Sequence, residues 1–293
     1  MSNISHTLRA DVRRPEYELV LEPLNAPDHS VALSPLRRFW RNGVLRKAAI
    51  LLALLLIWEI VASIQNNDLL LPGVVQTASA FFAGIASGEL LQRAGQSLWI
   101  LIQAYVLGIG LAFAFTSLAI STQIGRDLLA TLTAMFNPLP AIALLPLALL
   151  WFGLGKGSLI FVIVHSVLWA LALNTYSGFL SVSPTLRMVG RNYGLKGLRY
   201  TLWILVPAAL PSILAGLKIA WAFAWRTLIA AELVFGSAGG GGGLGWYIFQ
   251  SRNELYTDQV FAGLITVVLI GLAIENLVFS TLERYTVRRW GMA

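Results

Sequence analysis

Cysteine is absent from the chain, which removes disulfide frameworks and thiolate nucleophiles from consideration. Histidine is nearly absent: His6, His29 and His165 are too widely spaced to suggest a Cys/His metal cage. A phosphate-binding loop is missing as well. In "GLGKGS" (Gly153–Ser158) Leu150 stands where such a loop needs its first glycine and Gly157 where it needs a hydroxyl. "GIG" (Gly108–Gly110) has no third glycine in phase, and the run Gly239–Gly243 leads into Leu244 instead of Lys and Ser or Thr. Nothing in the chain is expected to bind ATP. Charge is scarce, at 12% of residues, while 57% are hydrophobic and the mean hydropathy is +0.72. That balance excludes an ordinary soluble domain, in which about a quarter of residues are charged.

What the chain does have is long apolar runs: Ala48–Ile64, Ser97–Ile120, Leu128–Phe152, Leu159–Leu180, Ser212–Phe235 and Val260–Leu282. Each approaches the roughly 20 residues that cross a bilayer as a helix, and none alternates as a barrel strand would. Backbone polar groups in hydrocarbon must bond within their own segment, so the runs predict an all-α integral membrane protein of six transmembrane helices. Residues 1–34 are polar, of mixed charge and without the apolar core of a secretory signal, and are expected to form a disordered cytoplasmic tail. Residues 35–47 interleave Leu36, Phe39, Trp40 and Val44 with arginines and Lys47, the pattern of an interfacial elbow helix on an anionic leaflet. With both termini inside, all basic residues fall on the cytoplasmic side except Arg93, Lys156 and Arg252, and except Lys218 and Arg226 within a span. The positive-inside rule therefore accounts for the net charge of +7, and no nucleic-acid partner is implied.

Charges inside the runs are costly in lipid and point to the bundle interior, to water or to a partner. Lys218 and Glu275 lie at similar depth and are expected to form a structural ion pair. Arg226 lies near mid-span, followed by Glu232 too far along to share its helix face. Two readings stay open for it. One is a buried pair with Glu232 or with Glu59 of the first run; the other is a guanidinium lining a polar passage, with Trp225 and Glu232 beside it, that attracts an anion. The lone His165 is expected to bond a backbone carbonyl or hydroxyl.

The segment "GRNYGLKGLRYTLWILVPAALPS" (Gly190–Ser212) separates the fourth and fifth runs and holds no carboxylate. Ser183 can cap a short helix with Pro184 in its first turn, ending near Tyr193 where Gly194 stops it. A second, amphipathic helix can run from Leu195 to Leu205, and Pro207 and Pro211 bend the chain into the fifth run. The product is a basic, aromatic hook suited to a groove on another protein.

Gly194, Ile204 and Pro207 match the end of the EAA motif, and the chain resembles the permease subunits of ABC importers. "LLLPGVV", "NPLPAIALLPLALLWFGLG", "LPSILAGLKIAWAFAWRTLIAAEL" and Glu275 are similar to the nitrate/sulfonate/taurine branch, from about Leu45 to Gly291. Met188, Val189 and Gly190 replace the motif's acidic and alanine positions, and Val206 its leucine. The resemblance implies a type I ABC importer permease fold over 48–290, with the coupling loop at 183–206 and its tip at Arg191, Asn192, Tyr193, Gly194, Leu195 and Lys196. It implies a second permease subunit in a homodimer, two cytoplasmic ATPase subunits, a periplasmic substrate-binding protein and the bacterial inner membrane. ATP and Mg²⁺ would be bound by the ATPases, leaving this chain without a cofactor, metal or catalytic residue. The cargo implied is a small anion: nitrate, a sulfonate, taurine or a related organic anion. A secondary transporter would be expected to carry an internal repeat and paired broken helices, and a membrane enzyme clustered acid and base groups. Neither signature is visible in the sequence.

Overall fold

The computed structural model describes residues 43–235 and 242–289, all in helices and short connections. The expected tail, most of the elbow and residues 239–241 of the glycine run lie outside them. By internal contacts the chain falls into two units, 1–53 and 54–293, and the core belongs to the second.

Helix α1 (Gly43–Gln65) ends at Asn66, whose positive φ of 44° is one asparagine tolerates. After Pro72, α2 (Val74–Ala86) starts with two acceptors on its free amides: Gly73 donates to Gln76 Oε1 (3.1 Å) and Val74 to Glu59 Oε2 (2.7 Å). Glu59 therefore caps a helix N-terminus, where a carboxylate is favoured. Helix α3 (Glu89–Ser121) is 33 residues long, and its buried stripe is mostly small: Ala94, Ser97, Ala104, Gly108, Ala112, Thr116 and Ala119. Small side chains let membrane helices approach closely. A Cβ on Gly108 would stand 2.7 Å from Val167 of α6 (Lys156–Ser181), so only glycine fits there. Helix α6 is the most enclosed span and packs between α3 and α10 (Leu210–Phe235).

The third apolar run is not one helix. It divides into α4 (Gln123–Phe136) and, after a 3₁₀ turn (Ala141–Leu144), α5 (Leu145–Phe152), with a bend of 90° between the two parts. The break falls on Asn137-Pro138-Leu139-Pro140, where two residues lack an amide proton and each proline restricts the residue before it. The described residues thus include five helices long and apolar enough to span, or six with the broken pair as one.

The hook forms as α7 (Pro184–Asn192), capped by Ser183 Oγ, followed by Gly194 at φ 70°. Its second arm begins two residues later than expected, at Gly197, because Lys196 is extended; α8 (Gly197–Tyr200) continues through a π-helical turn (Thr201–Leu205) into α9 (Val206–Ala208). Beyond α10, the short α11 (Leu244–Asn253) and α12 (Thr257–Ala273) pack on each other, and α12 on α2. A π-helical turn (Ile274–Phe279), α13 (Ser280–Glu283) and a second π-helical turn (Arg284–Arg288) complete the last span.

Candidate functional site

Helices α6 and α10 and the bend between α4 and α5 enclose a cavity of about 350 Å³. Asn137 to Ile142 form one wall, His165, Ser166 and Trp169 of α6 a second, and Phe223, Arg226 and Thr227 of α10 a third. Arg226 lies sixteen residues past the start of α10 and His165 sixteen before the end of α6, so both sit about 24 Å from the hook at 1.5 Å per residue. The Arg226 side chain is exposed. Its Nε donates to Ala222 O one turn back (3.0 Å), and the guanidinium lies 5.1 Å from the centre of the Phe223 ring. No carboxylate among the described residues pairs with it.

Both expected counter-charges are engaged elsewhere. Glu59 caps α2, as above. Glu232 is buried and accepts from Ser97 Oγ (2.8 and 2.9 Å to its two oxygens) and from the Gly245 amide (2.9 Å). Ser97 Oγ in turn accepts from the Leu244 amide (2.9 Å), so serine and carboxylate together satisfy the first amides of α11. A Cβ on Gly243 would collide with Ser97 Oγ and Glu232 Oε1, and one on Gly245 would stand 2.6 Å from Ile229 O. The end of the glycine run is thus required by the clamp. Trp225 donates its Nε1–H to Val267 O (3.3 Å) and, together with Arg226, lines a further cavity of about 440 Å³ between α10 and the last span. Trp225 does not line the cavity at the α4–α5 bend, and Glu232 lines neither of the two.

His165 lacks the expected partner. Both ring nitrogens, and Trp169 Nε1 beside them, are buried without a hydrogen bond among the described residues. Phe136 stacks on Trp169 (5.4 Å between ring centres) and meets His165 edge-on (6.0 Å). The cavity therefore combines an uncountered cation, unpaired nitrogens and the hydroxyls of Ser166 and Thr227, with aromatic faces between them. The unmade bonds of the buried nitrogens each cost about 1–3 kcal/mol; Ser166 Oγ donates to Ile163 O (2.7 Å), and the exposed guanidinium is the group open to a polar ligand or water.

At the hook, Arg187 is fixed by bonds to the last carbonyls of α6: Nε to Val182 O (3.0 Å), Nη2 to Phe179 O (2.5 Å) and Leu180 O (3.3 Å). The turn closes with Leu195 N donating to Gly190 O (3.1 Å). A Cβ on Gly190 would stand 2.8 Å from Tyr200 and 2.9 Å from Ile204, so the two arms touch there. Arg191, Asn192, Tyr193, Gly194 and Lys196 project from the tip, Tyr193 being 80% exposed, while Leu195 is half-buried. Lys218 Nζ stands 4.0 Å from Glu275 and 3.9 Å from Glu283, an open contact shared between two carboxylates. Sequence reasoning had no sign of Ser97, Ser166 or Thr227. Each is an isolated hydroxyl in an apolar run, and a position far away in the chain gives it its role.

Residues 104–291 match the family described as the binding-protein-dependent transport system inner membrane component. The chain is 30% identical over 238 residues to the putative aliphatic sulfonates transport permease protein of Escherichia coli, covering 81% of this chain and 88% of that one. It is 29% identical over 250 residues to the taurine transport system permease protein of the same organism (80% and 88% covered). With the nitrate import permease protein of Synechocystis it shares 28% identity over 255 residues (84% and 90%).

Proposed function

From the premise that the chain belongs to the binding-protein-dependent transport system inner membrane component family, we propose that it is the permease subunit of a bacterial ABC importer for a small anion. The cargo is nitrate, a sulfonate, taurine or a related organic anion. The observation that carries this reading is the cavity holding Arg226 without a counter-charge. A permanent cation is expensive at mid-span unless it meets water, an anion or a partner, and an anion in transit supplies the missing charge. Two chains pair as a homodimer in the inner membrane with all termini cytoplasmic. The unpartnered Arg226 face of α10 supports that pairing, because two such faces around one passage reinforce the potential that draws an anion in.

The chain itself hydrolyses nothing in this reading; two cytoplasmic ATPases bind ATP and Mg²⁺ and move the hook. The connectivity supports that division of labour. The hook joins α6 directly to α10, the two helices that carry the His165 and Arg226 walls. Arg187 ties α7 to the end of α6, and the Gly190 contact ties it to the arm leading into α10. A push on the hook therefore reaches both walls through rigid helices, as rocking between two access states requires. A periplasmic binding protein delivers the anion on the opposite side, beside α11.

The test is ATP-dependent uptake of candidate anions into proteoliposomes holding the whole complex. Arg226→Lys keeps the charge without the planar fork and retains part of the transport; Arg226→Ala loses at least tenfold, with an unchanged size-exclusion profile. Normal uptake by Arg226→Ala removes the arginine from the path. Uptake that persists without ATP hydrolysis removes the importer reading.

A further inference from the structure

A second cavity, of about 520 Å³, lies at the end of the bundle that carries the hook. Its walls come from the last turn of α3, the first turn of α4, the end of α6 and the inner side of the hook. Four cations line it: Arg126, Arg187, Arg191 and Lys196. No carboxylate does; Asp127, next to Arg126 on α4, is not among the lining residues.

The hydrogen-bonding capacity of these groups is largely unspent. Arg126, Arg191 and Lys196 make no side-chain bond or ion pair among the described residues, and Arg187 keeps Nη1 free while Nε and Nη2 hold the carbonyls of α6. The hydroxyls of Tyr176 and Tyr200, which also line the cavity, are equally without partners there. Like charges from three separate elements converging on one concavity repel one another, and the repulsion is relieved by a compact polyvalent anion that accepts from several donors at once. Tetrahedral oxyanions fit this donor set: guanidinium forks bind them bidentately, and an ammonium and phenols complete the shell.

We propose that this cavity binds a phosphate group, either free or as the headgroup of an anionic lipid, and that the bound phosphate latches the hook against α4. Arg126 contributes from the α4 side, while Arg191 and Lys196 contribute from the hook, so one ligand spans the gap between a membrane helix and the moving segment. A phosphate at this depth is reachable from the aqueous side and from the headgroup layer of the same leaflet. The volume suits a small ligand better than a protein segment. Tyr193, at the tip, does not line the cavity and is left for a protein partner. Binding does not depend on the transport reading; only the consequence for coupling rests on it.

The experiment uses the full chain alone in nanodiscs, so that its failure is separate from any failure of transport. Melting temperature is measured in neutral phosphatidylcholine with inorganic phosphate, against chloride of equal ionic strength, and in discs containing phosphatidylglycerol. Arg126→Gln melts at or slightly above the wild type in chloride, because it removes one repelling charge and breaks no bond, and loses about tenfold or more in affinity for the ligand. Arg126→Lys keeps most of it. A phosphate-dependent rise that Arg126→Gln abolishes identifies a free oxyanion; a rise seen only with phosphatidylglycerol, and again abolished, identifies a lipid headgroup. If neither ligand separates wild type from Arg126→Gln, the proposal fails. It also fails if Arg126 is shielded only when the ATPase is added, which makes the cavity a protein contact. Should Arg126→Gln not fold, equilibrium dialysis of the wild-type chain against radiolabelled phosphate decides, absence of saturable binding overturning the site.

Discussion

Arg226 and Glu232 sit on one helix, six residues apart, and are opposites in every respect but their cost to the membrane. Glu232 is buried with both oxygens bonded, to Ser97 and Gly245, and holds the start of α11 in place. Arg226 is exposed, bonds only to its own preceding turn and faces a cavity where the nitrogens of His165 and Trp169 are unpaired too. The difference separates structure from function within a single element. An ionisable group whose bonds are all made inside the protein has nothing left to offer a ligand, whereas one left unsatisfied on the same helix is free to meet something that passes. What separates their roles is the set of partners each finds.

The sharpest way to break this contrast is to exchange the phenotypes. Arg226→Ala is expected to cut uptake at least tenfold and leave thermal stability within about 0.5 kcal/mol of wild type, as for a surface change. Glu232→Ala is expected to do the reverse. It strands the Ser97 hydroxyl and the Gly245 amide, costing about 3 kcal/mol on thermal unfolding in detergent, with a smaller loss for Glu232→Gln. Equal stability losses in the two alanine variants would erase the distinction. Gly243→Ala tests the same clamp from the other side, because its methyl group needs the space that Ser97 and Glu232 occupy. A destabilisation of about 2 kcal/mol is expected from the collision, read from the same melts.

The hook extends the contrast to an uncharged side chain. Tyr193→Asp leaves the fold unchanged, since that side chain is 80% exposed. If the hook docks on an ATPase as proposed, it should lower anion transported per ATP hydrolysed severalfold in the reconstituted complex by placing a lone charge in that contact. Lys218 falls between the two extremes, and the smallest effect is expected there. Its contacts at 3.9 and 4.0 Å are partly open and divided between two carboxylates, so a double-mutant cycle with Glu275 should give a coupling energy below about 1 kcal/mol. A larger value would move Lys218 into the class of Glu232.

The sequence made some of this legible and concealed the rest for physical reasons. Long apolar runs announce spans because hydropathy is a local sum, and the hook announces itself because caps and glycine breaks act within one turn. The 90° bend in the third run was hidden by the same summation: Pro138 and Pro140 break the backbone without lowering the run's apolar character. Helices α2 and α11 were missed because neither is long enough to span. The partner of Glu232 was out of reach altogether. Ser97 is 135 positions away, and only the packing of α3 beside α10 joins them. Closeness in sequence, by contrast, made Arg226 and Glu232 look like possible partners, when the fold gives each a different neighbourhood.

The direct passage of the chain from α6 through the hook to α10 also sets where its length can change. One residue added within α10 between Leu210 and Arg226 turns everything beyond it by about 100°, swinging the guanidinium off its wall and pulling Glu232 from Ser97 together. One residue added beside Gly194 falls in a turn that already departs from helical geometry, and both walls stay in phase. Over evolutionary time, insertions and deletions in such a chain should accumulate at the hook's tip and be purged from its arms.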